Sequence, residues 1–223
     1  MKPLCSVITP SRRGGDGLER CILSVANQTY PNVEHIVVGD LGAIDPGDWD
    51  CDVRFFELND LWRTPTTTKS TGSWPWFIGT QFAKGDYITF LGDDDEYLPR
   101  HVEAHVEALE ESGADYSLSK VAFHVSGEFV MNVGDGTVRI THLDSDGIMG
   151  RRENFRRANW LANGSDSGDF DLVFRWHSAG MSGVFVDEVT AIHNDGWLAK
   201  RPDIVALARS GRDWRTGMVV NSA

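Results

Sequence analysis

"DYITFLGDDDEYLP", residues Asp86 to Pro99, runs an apolar segment into three consecutive aspartates and then, past a proline, toward a helix. The apolar part reads as a short buried strand. Pro99 opens "PRHVEAHVEALEESG", where proline suits the first helical turn, Val102, Val106 and Leu109 form a stripe, and Gly113 can end the helix. Asp93, Asp94 and Asp95 therefore occupy a strand-to-helix loop, and this fixes the alternation of strand and helix on which the rest of the reading is built.

Upstream, "LCSVI" (residues 4–8) is a short apolar strand ending at the turn-rich "TPSRRGGDG", and "LERCILSVANQ" (18–28) spaces Leu18, Cys21, Ile22 and Val25 at helical intervals. "VEHIVVGD" (33–40) and "VRFFEL" (53–58) are two further strands. Strand, helix, strand at this spacing is a βαβ unit and the start of a parallel sheet, whose binding sites lie at the carboxyl ends of the strands. Thr9, Pro10 and Ser11, then Asp40, then the aspartate triplet each follow such an end, so all are expected to face one crevice.

Downstream the pattern changes. "YSLSKVAFHVSGEFVMNV" reads as two strands turning at Ser126-Gly127, "TVRITH" (137–142) as another short strand, and "GVFVDEVTAI" (183–192) as a last strand reaching His193. Helices are expected over "RRENFRRAN" (151–159), "DFDLVFRWHSAG" (169–180) and "IVALA" (204–208). The fold class is α/β: a mostly parallel central sheet flanked by helices, with antiparallel additions in the C-terminal half.

With 223 residues, 41% of them hydrophobic, the chain can bury the core of one domain but not of two large ones. No run of eighteen apolar residues and no secretory leader is readable, so we expect a soluble, cytoplasmic protein without a transmembrane segment. Cys5, Cys21 and Cys51 are odd in number and form no CxxC pair, which points to buried free thiols. A formal net charge of −12 argues against extensive nucleic-acid binding. Basic residues thicken only at 150–159 and 200–215, as solvated faces or as anion contacts.

Three adjacent carboxylates in one cleft need compensation. At an effective dielectric of ~20, two unit charges ~4 Å apart repel by about 4 kcal/mol. A solvated loop avoids that cost, and so does a divalent cation; oxygen ligands suit Mg²⁺ or Mn²⁺. A cation held by one or two carboxylates leaves positions for a diphosphate, whose departure from carbon it assists as a Lewis acid.

Taken together, "CSVITPSRRGGDGLERCILSVANQTYPNVEHIVVGD", "AKGDYITFLGDDDEYLP" and "SGDFDLVFRWHSAG" resemble the GT-A fold glycosyltransferases of family 2. The resemblance runs from about Leu4 to His193. It implies transfer of a sugar, with inversion, from a nucleotide-diphosphate sugar to an acceptor hydroxyl, UDP-linked donors being favoured and Mn²⁺ or Mg²⁺ serving as cofactor. Thr9 and Asp40 match positions that contact the base and ribose, and we include Pro10 and Ser11 with Thr9 in the nucleotide-binding set. Asp93 matches the ribose-contacting aspartate. Asp94 and Asp95 match the metal-binding part of the DxD motif, Asp95 being favoured, and His193 a position that reaches the metal or diphosphate. Asp169 matches the catalytic base, with Asp171 as its nearest rival and a helix cap as a compatible role.

On this reading the single domain 1–223 divides into a nucleotide-sugar half (1–112), an acceptor half (113–196) and a tail (197–223). The acceptor stays open among glycan, protein and small molecule. The sequence departs from the family where an arginine usually helps hold the donor, for Trp76 and Phe77 stand there, leaving Lys69, Arg63 or an arginine of the 150s as substitutes that spacing does not assign. That departure keeps alive a catalytically silent sugar-nucleotide-binding module; a sugar nucleotidyltransferase is the other alternative. Trp62, Trp74 and Trp76 are either a stacking platform or core. His101 and His105, at i and i+4 with a glutamate misplaced for a zinc protease, read as a solvated helix face.

Overall fold

Near-continuous apolar runs need cover on both faces, and amphipathic helices supply it. The computed structural model describes residues 2–11, 14–40, 53–58, 73–160, 168–196, 198–213 and 215. Strand β1 (Cys5–Ser11) is buried along nearly its whole length and lies between two parallel partners, β2 (Val33–Asp40) and β4 (Tyr87–Phe90), while β2 pairs in parallel with β3 (Val53–Leu58). The "TPS" segment belongs to β1 and not to the loop after it. Pro10 is tolerated because β4 pairs only with residues 5–8, so its missing N–H falls outside that ladder. Helix α1 (Asp16–Ala26) turns Leu18, Cys21, Ile22 and Val25 inward, and α3 (His101–Ser112) ends at Gly113, whose φ of 68° is the left-handed stop that glycine adopts without strain.

The second half threads itself into the same sheet. Its elements are β5 (Glu96–Tyr97), β6 (Tyr116–Val125), β7 (Glu128–Val133), β8 (Ile148–Arg151), α4 (Asn154–Arg157), α5 (Gly168–Ser178), β9 (Gly183–Asn194) and α6 (Pro202–Arg209). The strand order is β3-β2-β1-β4-β8-β6-β9-β5, with β7 on β6. Strand β8 runs antiparallel between β4 and β6, whereas β9 lies parallel to β6. Two reversals restore the original direction, so the ends of β4 and β9 and the start of β8 meet at one edge of the sheet. No helix among the described residues is long and apolar enough to cross a membrane.

Several expectations need correction. Residues 137–142 form no strand: Asp135 accepts from both the backbone N–H and the hydroxyl of Thr137 and binds His142 through its other oxygen, and these local bonds curl the segment. The helix expected over 151–159 shrinks to α4, because Arg151 completes the unforeseen β8. Helix α2 (Ser73–Phe82) stands where the sequence showed only a tryptophan-rich loop. In it Trp76 is core: its ring lies 4.3 Å from that of Trp160, and both meet the edge of Phe90. Burying one such aromatic contributes on the order of 3 kcal/mol. His101 and His105 are fully buried, not solvated. Cys5 and Cys21 are buried free thiols, as expected, while Cys51 and Trp62 lie outside the described residues.

Candidate functional site

The three aspartates of the triplet have three different surroundings. Asp93 accepts from the Ser11 hydroxyl at 2.7 Å, which ties the triplet to the end of β1. Asp94 is exposed; burial of part of its side chain and the neighbouring Asp93 raise its pKa. Asp95 is 3% exposed and accepts from the backbone N–H of Asn194 at 2.7 Å. Gly92 makes this turn possible: a Cβ there would stand 2.2 Å from Asp95 Oδ2, so no other residue fits without moving the carboxylate.

Around Asp95 the fold gathers residues from far along the chain. Asp146, in the 3-10 turn Ser145–Gly147 that leads into β8, accepts from the Gly92 N–H at 3.1 Å. His193, near the end of β9, points Nδ1 at Asp146 (3.3 Å), Asp95 (3.5 Å) and Asp144 (3.6 Å). Its ring is stacked on Phe123, and a Cβ on Gly196 would come within 2.3 Å of its Nε2, so it is held from two sides. One ligand atom each from Asp95, Asp146 and His193 lie within 4.8 Å of one another.

Charge in this cluster is unbalanced. Burial and the adjacent Asp146 hold the Asp95 carboxyl well above the usual carboxylate range, and burial with Asp144 raises Asp146. Burial opposes a charge on His193, but Asp144, Asp146 and Asp95 outweigh it and push the imidazole up to about 12. Without a metal, three carboxylates thus share one imidazolium; a dication that displaces the His193 Nδ1 proton would take over and exceed that neutralisation. Two carboxylate oxygens and an imidazole nitrogen are donors that suit Mn²⁺, and Mg²⁺ less well because of the nitrogen. The residues fit such an ion.

Asp169 lies in the first turn of α5, partly buried, with its Oδ1 accepting the Phe170 N–H at 2.8 Å. Burial raises its pKa to about 7, helped by Asp144 and, more weakly, by Asp146, which places it within electrostatic reach of the cluster. Its rival Asp171 is bound to Arg175 at 2.9 Å and is spent there. The fold therefore joins Ser11 to Asp93 and Asp95 to His193 at one end of the sheet, while Asp169 stands at the start of α5. Thr9 lies beneath them: it is fully buried, and its hydroxyl bonds His35 Nε2 at 2.9 Å. Pro10 is partly exposed beside Ser11. Asp40 ends β2, but its side chain, like Arg63 and Lys69, lies outside the described residues. Among the 150s arginines, Arg151 is engaged at the far end of β8 with the carbonyls of Ala114 and Leu109 and the Tyr87 hydroxyl.

Sequence reasoning missed Asp144 and Asp146. The usable signal was "DSDG" immediately before the apolar "IM", a second acidic turn at a strand boundary resembling the first.

Residues 68–168 match the model of Glycosyl transferase family 2. The matched stretch is a little under half of the chain, and it carries a likeness to glycosyltransferase family 2. Among curated relatives, the glycosyltransferase GlyG of Streptococcus pneumoniae is 30% identical over 115 residues, 52% of this chain and 38% of the relative. The putative teichuronic acid biosynthesis glycosyltransferase TuaG of Bacillus subtilis is 28% identical over 119 residues, 53% and 46% of the two chains. The chain thus spans less than half the length of either. Among solved structures, S. aureus TarS 1–349 in complex with UDP-GlcNAc superposes with a TM-score of 0.65 at 14% identity, covering 96% of this chain and 69% of that one. The mannosyltransferase PcManGT of Pyrobaculum calidifontis, in complex with GDP-Man and Mn²⁺, gives 0.65 at 13%, covering 96% and 65%. At these identities the likeness establishes the fold, the family's GT-A architecture.

Proposed function

We propose that this chain is a metal-dependent, inverting glycosyltransferase that uses a nucleotide-diphosphate sugar, UDP-linked by preference. The observation that carries the proposal is the convergence of Asp95, Asp146 and His193 within 4.8 Å at the carboxyl edge of the sheet; Asp169, its pKa raised to about 7, stands at the start of α5. Asp95, Asp146 and His193 would hold Mn²⁺ or Mg²⁺. When bound, the ion supplies charge neutralisation for the diphosphate leaving group.

The remaining steps belong to the chain. Ser11 fixes Asp93 where a ribose hydroxyl can be received, and the end of β1 and Asp40 border the base. Asp94, on the exposed side of the same turn, faces the nucleotide. Asp169 takes the proton from the acceptor hydroxyl as it attacks the anomeric carbon; a base whose pKa lies near neutrality is well matched to that transfer. The residues of the cluster come from both halves of the chain, so a donor half (1–112) and an acceptor half (113–196) share one site, with 197–223 as a tail. TarS in complex with UDP-GlcNAc supports a UDP-linked donor, and PcManGT with GDP-Man and Mn²⁺ supports the metal. The acceptor is a glycan, a protein side chain or a small molecule. The two buried free thiols agree with a reducing, cytoplasmic setting.

Calorimetric titration of UDP with and without Mn²⁺, followed by an assay of UDP-sugar turnover, tests the proposal. Binding that requires the metal, with sugar released or transferred, is expected. UDP binding indifferent to Mn²⁺ would overturn the metal reading, and binding without turnover would leave a silent module.

A further inference from the structure

The three groups of the proposed metal site come from three separate parts of the chain, and each stands two or three residues from a polar network buried beneath it. Tyr97 follows Asp95 by two residues, Ile148 follows Asp146 by two, and Thr190 precedes His193 by three. At the middle of the network is His101 of α3, with no exposed surface. Its Nε2 lies 3.2 Å from Thr89 Oγ1 and its Nδ1 lies 2.9 Å from Thr190 Oγ1. Tyr97 stacks on its ring, with centroids 3.5 Å apart and planes at 11°.

Counting protons gives the network a direction. Backbone carbonyls only accept, so Thr89 gives its hydroxyl proton to Ile148 O (2.8 Å), and Tyr97 Oη, 2.6 Å from Phe90 O and 2.8 Å from Thr89 Oγ1, shares its own proton between those two oxygens. With Thr89 donating to Ile148 O, we assign His101 the Nε2–H tautomer, its Nε2 donating to Thr89 and its Nδ1 accepting from the Thr190 hydroxyl. Having given its proton, Thr190 accepts from Ser119 at 2.6 Å. The chain of donation therefore runs Ser119, Thr190, His101, Thr89, Ile148. It crosses β6, β9, α3, β4 and β8.

We infer that His101 is a positioning residue: as a buried two-sided link it holds β4, β8 and β9 in the mutual register that brings Asp95, Asp146 and His193 together. This rests on the metal reading above. A core residue could fill this volume with carbon. A phenylalanine would fill it too, but would leave the hydroxyls of Thr89 and Thr190 without their partner and the three strands without this tie.

The experiment uses His101→Phe, the near-isosteric Thr190→Val as a second variant should the first fail to fold, and Val25→Ala as a control that removes volume from the core but none of the network's hydrogen bonds. Mn²⁺ affinity is read by electron paramagnetic resonance, and melting temperature is read in parallel. His101→Phe and Thr190→Val are expected to weaken Mn²⁺ binding about 10-fold, the lower end of what outer partners of a metal ligand contribute. His101→Gln, which returns a donor toward Thr89, should recover part of the loss, and Val25→Ala should leave affinity within about 2-fold of wild type. Unchanged affinity in both network variants, or an equal loss in the control, overturns the inference.

Two metal-free measurements separate this inference from the reading beneath it. Long-range ¹H–¹⁵N spectra of the imidazoles should show His101 as the Nε2–H tautomer, and the amide signals of Gly92, Asp146 and Asn194 should move in the variants. If wild type binds no Mn²⁺ while both spectral results hold, the metal reading falls and the tie stands. An Nδ1–H tautomer, or unmoved amides, removes the tie.

Discussion

Two layers of buried polar groups lie one above the other in this molecule, and they differ in how their demands are met. In the lower layer, His101, Thr89, Tyr97, Thr190 and Ser119 bond to one another and to backbone carbonyls, so the chain supplies both partners of every link. In the upper layer, Asp95, Asp144 and Asp146 crowd round one imidazole and remain short of positive charge. Burial of polar atoms alone therefore does not mark a functional site. A deficit that the chain leaves unmet does.

The comparison is open to direct attack. The largest effect is expected from Asp169→Asn, which should lower sugar transfer by roughly 10²- to 10⁴-fold, the usual contribution of a general base, while leaving UDP·Mn²⁺ binding within about 3-fold. Single-turnover assays beside titration calorimetry read both. Loss of binding instead would place Asp169 among the donor contacts.

Next in size is the acid sensitivity of the core histidines. Burial lowers the pKa of His35 and His105 to about 3 and holds His101 well below its ordinary range. These groups bind fewer protons folded than unfolded, so the stability they protect is present above about pH 6.5 and is lost as pH falls toward 3. With up to three protons involved, stability should fall by as much as about 4 kcal/mol per pH unit in that window. His105→Asn, which can keep an acceptor for the Ser117 hydroxyl, should flatten the slope by one proton in urea titrations run from pH 7 to 5. An unchanged slope would show that His105 is charged in the folded protein.

A third test exploits the opposite signs of the two layers. Asp146→Asn removes one of the crowded charges, so Mn²⁺ affinity should fall by more than the roughly 10- to 100-fold typical of outer partners, while the metal-free protein melts at the same temperature or higher. Thr89→Val in the lower layer should do the reverse for stability, at a cost of about 1–3 kcal/mol for the carbonyl and imidazole it strands. If both variants melt lower in the absence of metal, the distinction between the layers is wrong. The smallest effect is reserved for Asp171→Asn, because Asp171 is a partly exposed partner of Arg175: turnover should stay within about 3-fold, and stability should change by less than about 1 kcal/mol. A collapse of turnover would move the base from Asp169 to Asp171.

How far the molecule could be read in advance also differs between its parts. The βαβ start was legible because β1 and β2 are short apolar runs bounded by turn residues and α1 carries its stripe at regular spacing. Helix α2 was not, since "SWPWFIGTQF" is apolar nearly all round and offers no polar face for a period to show against. Strand β8 has only four residues, too few for an alternation, and its identity comes from insertion between β4 and β6. Asp95 and His193 were found through motif position. Asp146 was passed over because its partners are supplied by Gly92 and His193, about fifty residues away on either side. His101 and His105 were misread for a related reason: the hydroxyls that make their burial tolerable sit on β4, β6 and β9, and nothing local to "HVEAH" announces them.

Strand β9 brings His193, the counter-charge of the cluster, and also pairs with β5, which follows Asp95 directly. It is the last strand to leave the ribosome among those described. Until β9 docks, the acidic turns at the ends of β4 and β8 lack both the imidazole of His193 and the backbone amide of Asn194. Docking of β9 thus completes this end of the sheet, for without it the edge of β6 that β9 covers would stand open to other strands.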